Sequence, residues 1–180
     1  MMKTIGVVAV VLASMIGVWT IGSVVGRAQV ESNDKNVAVL DDCDPTDPTW
    51  AAVGGCNILP TRGDVTRSEF ATLLVSPLSL AVVGHPSWRN EPSYLTVKAG
   101  DKIRVMNKGG RGHTFTEVAN FGGGFAPPLN IGLTPAPECT PAGTVPLPPG
   151  AVKELTGLAP GMHRFQCCIH PWMRATIRVQ

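Results

Sequence analysis

Glycine and proline punctuate this chain so densely beyond its first 28 residues that no long helical pattern survives. The 180 residues include 20 Gly and 16 Pro, and eight of the prolines fall between positions 119 and 150. Proline fixes its own backbone angle and lacks an amide donor, so it ends helices and is excluded from central strands. Between the breaks lie short runs of alternating character. They are Leu78, Leu80 and Val82; residues 94–97; Ile103 and Val105 set against Arg104 and Met106; and residues 113–118, 152–155, 162–167 and 175–179. Alternation with period two predicts half-buried strands. Several short strands joined by Gly/Pro turns predict an all-β chain built as a β-sandwich. One short helix is expected near 66–74, and no internal repeat is visible.

The first 28 residues are of another kind. Lys3 is the one charge ahead of a 21-residue apolar run from Ile5 to Val25, and Gly26-Arg27-Ala28 supplies the small residues of a cleavage site. A run of this length spans a bilayer as a helix, so a membrane tether through residues 4–25 competes with removal as a signal peptide. Gly, Ser and Thr within the run favour cleavage. Either outcome places the remaining residues outside the cytoplasm, in the periplasm or extracellular space.

That remainder is enough for one domain with a real core. Residues 29–75 are acidic, turn-rich and weakly periodic, and read as an irregular N-terminal extension to a domain at 76–180. Residues 29–70 carry eight acids against three bases, whereas ten bases face five acids from His85 onward. Such asymmetry is usually a solvated face, and its sharper reading is steering toward an acidic partner. All five cysteines lie in the exported part, where disulfides persist. Scattered bases and a single Tyr give no support to nucleic-acid binding.

The chemistry concentrates near the C-terminus, in Cys167-Cys168-Ile169-His170-Pro171-Trp172-Met173, with His113 upstream. Cys167, His170 and Met173 recur every third residue, so one loop can present all three to an ion. A thiolate, two imidazoles and a weak axial thioether are the donors of a mononuclear copper site that cycles between Cu(II) and Cu(I). Structural zinc would take four strong ligands, and Met173 in the fourth place favours copper. With Cys167 on a metal, the other four cysteines allow three pairings. Cys43–Cys56 closes the shortest loop, which leaves Cys139 for Cys168. Free or differently paired thiols are the plainer alternative, and Cys168 also stands as a second thiolate or part of another centre. His85 and His163 fit no ligand position.

These residues resemble the cupredoxin family, closest to the amicyanin and plastocyanin type. Residues 88–118 are similar to its first half: a Pro-x-x-Leu-x-Val strand, a Gly-Asp turn, a strand ending in Asn107, then a loop into a ligand His. Residues 161–179 are similar to its second half, with Cys-x-x-His-x-x-Met spacing. The resemblance implies a Greek-key β-sandwich. It implies one copper ion held by His113, Cys167 and His170 with Met173 axial, and an exposed edge of His170 beneath an apolar collar as the electron port. Thr114 stands where the family commonly has Asn, so its backbone N–H is expected on the Cys167 sulfur with a weaker side-chain tether. Ile169 stands where Pro is frequent, and its free N–H is expected to make a second N–H···S bond.

The resulting expectation is an electron carrier, not an enzyme, whose redox partners dock near His170 and Trp172. Copper delivery for homeostasis, using the same ligands, is the alternative. A copper oxidase would need further His-rich centres, and four histidines are too few.

Overall fold

The computed structural model describes residues 35–57, 63–74 and 85–180. The expected leader at 1–28 and the strand at 78–82 lie outside them. The described residues form ten strands: β1 (Lys35–Leu40), β2 (Arg89–Glu91), β3 (Tyr94–Val97), β4 (Ile103–Asn107), β5 (His113–Thr114), β6 (Thr116–Val118), β7 (Pro146–Leu147), β8 (Val152–Leu155), β9 (Gly161–Gln166) and β10 (Arg174–Val179). The short helix α1 runs over Arg67–Leu74, where a helix was expected.

The strands form two four-stranded sheets, ordered β2-β1-β4-β8 and β3-β10-β9-β6, with β5 and β7 as a small separate pair. Each large sheet is mixed: β1 runs parallel to β4, and β3 parallel to β10. Period-two alternation supplies the core. Val37, Val39, Ile103 and Val105 from the first sheet share one buried cluster with Val97, Phe165, Ala175, Ile177 and Val179 from the second. Phe115, in the break between β5 and β6, stacks on Phe165 at 4.7 Å and 14°. This is the all-β sandwich read from the sequence, with the run 113–118 divided in two where Phe115 turns into the core.

The boundary at residue 76 is corrected. The described residues belong to one compact unit, and β1 sits inside the first sheet between β2 and β4. Its acidic surroundings and short length hid a strand whose Val37 and Val39 are at most 1% exposed. Trp50, Val65 and Phe70, from the same supposed extension, also join the main core.

The Pro-rich stretch 119–150 is pinned to the ligand loop and packs a small core of its own, with Ala136 and Cys139 buried beside Val118 and Cys168. A disulfide joins Cys139 to Cys168. The Gln166 side chain accepts from Gly122 N–H at 3.0 Å and donates to the Gly123 carbonyl at 3.2 Å. Phe125 N–H donates to the Cys168 carbonyl at 2.9 Å. A Cβ on Gly124 would lie 1.8 Å from that same oxygen, so the close approach requires glycine there.

On the sandwich surface, His163 of β9 bonds through Nδ1 to Glu117 at 2.6 Å and through Nε2 to the Ala159 carbonyl at 2.8 Å. The Glu117 bond, helped by that carbonyl, raises the His163 pKa above its ordinary value. A raised value means that the pair stabilises the fold fully below the unfolded pKa, about 6.5. The contribution fades as pH rises through the folded value. An NMR titration of His163 should give a midpoint above that of free imidazole, and Glu117→Gln should bring it down.

Candidate metal centre

One end of the sandwich gathers the chemistry. Strand β5 carries His113, and the loop following β9 carries the rest. That loop closes on itself: Cys167 N–H donates to the Met173 carbonyl at 3.0 Å, and Met173 N–H to the His170 carbonyl at 2.9 Å. The wrap brings Cys167 and His170 to one side. Cys167 Sγ lies 3.8 Å from His113 Nδ1 and 3.7 Å from His170 Nδ1. The three donor atoms all fall within 4.8 Å of one another.

That triangle fits a metal ion. With metal–sulfur and metal–nitrogen bonds of about 2.3 and about 2.0 Å, donors 120° apart around an ion lie about 3.7 Å from each other. Soft thiolate beside two imidazoles suits copper in both redox states. Met173 is fully buried in the core cluster that also holds Cys167. The sequence candidates His113, Cys167, His170 and Met173 therefore reach the same end of the fold. Cys167 is the free cysteine; Cys43–Cys56 and Cys139–Cys168 are the disulfides. Cys168 is thus neither a second thiolate nor a vicinal partner of Cys167.

Without metal, the site holds its charges by mutual support. Burial penalises a charged His113, but the Asp41 hydrogen bond and the neighbouring sulfur outweigh it and raise its pKa to about 9. Burial likewise opposes a Cys167 thiolate, and bonds to His113 and His170 pull it well below the usual thiol range. His170 is lowered, chiefly by burial. The shift of the sulfur is toward the thiolate, the form that ligates a metal.

The neighbours of the sulfur follow the sequence reading in part. Thr114 N–H donates to Cys167 Sγ at 3.4 Å, as expected. A side-chain tether is also present: Thr114 Oγ1 accepts from Cys168 N–H at 2.8 Å. The second N–H···S bond is corrected. Among the described residues Thr114 supplies the one backbone donor to Cys167 Sγ, and the loop amide held nearby belongs to Cys168 rather than Ile169.

The exposed edge of His170 is also corrected: the residue is 4% exposed. It forms part of the floor of a cavity of about 360 Å³, lined among others by Phe70, Trp88, Leu129 and Ile169. Chain segments outside the 76–180 reading supply Trp50 and Phe70 to that wall. Trp172 meets His170 edge-on at 5.5 Å. His85 packs against Phe70 and Trp88, outside the donor cluster.

Sequence reasoning missed Asp41. Its carboxylate sits 2.7 Å from His113 Nε2, and neither side chain is exposed. The signal was available, because Asp41 continues the inward alternation of Val37 and Val39. It was lost among the surrounding acids.

The two-sheet sandwich thus gathers one thiol and two imidazoles at one end, a donor set suited to copper, with Met173 buried in the same loop. Among solved structures, the chain is similar to a purple cupredoxin from Nitrosopumilus maritimus. That similarity is 15% identity and TM-score 0.42, over 82% of this chain and 100% of that one. It is also similar to a reduced amicyanin mutant, at 23% identity and TM-score 0.35 over 50% of this chain and 71% of that one. The Cu(I) form of another amicyanin mutant shows 22% identity and TM-score 0.36, over 51% and 73%. No protein-family model and no curated protein matches the sequence.

Proposed function

We propose that this chain is an exported blue-copper protein that carries single electrons between redox partners. The observation carrying this reading is the buried triangle of one thiolate and two imidazoles at 3.7 and 3.8 Å. Bound copper would supply one-electron exchange between Cu(II) and Cu(I). His113, Cys167 and His170 are the proposed equatorial ligands, with Met173 axial. The protein's share is to hold them still. Cys167 and Met173 are unexposed, and His113 is 1% exposed, so water and substrates are kept from the donors. That enclosure supports a carrier over a catalyst, which would need an open ligand position.

Two disulfides fit an oxidising compartment. Among the described residues no helix is long and apolar enough to cross a membrane. Export through residues 1–28, cleaved or retained as a tether, completes the proposal. Partner proteins would dock near His170 and Trp172, next to the cavity that His170 lines.

Repeated reduction and reoxidation of the copper-loaded protein, in the presence of a competing Cu(I) chelator, tests the carrier role. A carrier should bleach and recover its colour with copper retained. Loss of the ion to the chelator on reduction would instead indicate copper delivery.

A further inference from the structure

We propose that Asp41 is the positioning residue of the metal centre: its buried carboxylate orients His113 and biases the bound copper toward its oxidised state. This assignment rests on the copper reading above.

The geometry is that of a built site. Asp41 Oδ2 lies 2.7 Å from His113 Nε2 and accepts from Arg111 N–H at 3.0 Å, while Oδ1 accepts from Gly110 N–H at 2.8 Å. Three donors converge on one unexposed carboxylate. A buried carboxylate without such partners would carry an uncompensated desolvation penalty. The chain around it is shaped to allow the contact. A Cβ on Gly109 would fall 2.0 Å from Asp41 Oδ2, and one on Gly110 would fall 2.8 Å from Cys43 Sγ and 2.9 Å from Cys56 Sγ. The glycine pair in the β4–β5 loop thus lets the backbone wrap onto the acid and onto the neighbouring disulfide. Asn107 holds the same loop from behind, accepting from Gly109 N–H at 2.9 Å and donating to the Arg111 carbonyl at 2.7 Å.

Two consequences follow from the chemistry of imidazole. A hydrogen bond at Nε2 commits the Nε2 proton to the carboxylate and leaves Nδ1 as the metal-facing nitrogen. The ring cannot swing without breaking that bond. The carboxylate also places a negative charge one ring away from the metal, in a region closed to water. Such a charge favours the more positive copper state, and thereby lowers the reduction potential. The Thr114 N–H on the Cys167 sulfur works in the opposite sense. The end of β1 is therefore part of the metal centre, which gives the acidic N-terminal segment a role no surface extension would have.

The test compares the copper-loaded protein with its Asp41→Asn variant. The variant should show a higher reduction potential, and Co(II), followed by its visible absorption, should bind about 10- to 100-fold more weakly. An unchanged potential and unchanged Co(II) affinity, with only a lower melting temperature, would make Asp41 a purely structural acid and overturn the assignment. A measurement on the unaltered protein covers the case in which the variant does not fold. In the Cu(I) form, ¹⁵N NMR should find His113 protonated at Nε2, with that proton protected from exchange. Protonation at Nδ1, or a freely exchanging Nε2 proton, would overturn it. If the unaltered protein binds no copper through sulfur, the copper reading itself fails. A protein with the sulfur–copper band but an unmoved Asp41→Asn variant removes this inference alone.

Discussion

Replacing Cys167 by Ser is expected to abolish the intense visible absorption of the oxidised, copper-loaded protein completely. That band requires charge transfer from a thiolate to Cu(II), and a serine hydroxyl is a harder donor that stays protonated. No other sulfur can substitute as a thiolate, because Cys43, Cys56, Cys139 and Cys168 are all tied in disulfides. The variant should still fold, since serine is close to cysteine in volume and the core packed around the site is unchanged. Absorption and circular dichroism on one sample separate the outcomes: the band lost, the β-signature kept. Cys168→Ser should retain the band, because Cys168 touches the site through its backbone N–H rather than its sulfur. The reverse pattern would move the sulfur ligand.

Loss of the Cys139–Cys168 disulfide should give the largest change in stability. The bridge spans 29 residues of sequence, and a closed loop of that size removes roughly 3.5 kcal/mol of unfolded-chain entropy. The Cys43–Cys56 bridge spans 13, so its loss should cost about 0.7 kcal/mol less on loop length alone. A domain of this size loses about 2–4 °C in Tm per kcal/mol, so a double Ser variant at 139 and 168 should melt roughly 10 °C lower. The fold gives the effect a location. Gln166 donates to Cys139 Sγ at 3.3 Å, and Phe125 N–H rests on the Cys168 carbonyl. Opening the bridge removes the covalent tie between this stretch and the metal loop, leaving the hydrogen bonds of Phe125 to Cys168 and of Asn130 to Ile169. Urea denaturation of the metal-free forms checks the ordering; equal midpoints for the variant and the unaltered protein would contradict it.

Much of this was legible because the relevant signals are local. The alternation in β4 and β10 is uninterrupted, and the buried positions follow it. The ligand loop carries three donors at fixed intervals, so the fold class and three of the four donors needed no long-range information; His113 lies 54 positions upstream of Cys167. The disulfides followed from loop length and from reserving Cys167 for the metal.

The misses share a cause, which is contact between segments far apart in sequence. Strand β1 pairs in parallel with β4, and nothing local in an acidic, turn-rich stretch announces such a partner. Asp41 is separated from His113 by 72 positions, so its part in the site depends on that pairing. The enclosure of His170 has the same origin, since Trp50 and Phe70 come from the segment taken as peripheral. Ile169 was misjudged because a free N–H shows capacity, not direction.

The account stands on one ion held jointly by His113, Cys167 and His170. X-ray absorption at the copper edge of the oxidised protein addresses that directly. It should find a single sulfur at roughly 2.3 Å and two imidazole nitrogens at roughly 2.0 Å. A shell of nitrogen and oxygen alone, with no sulfur at bonding distance, would contradict it.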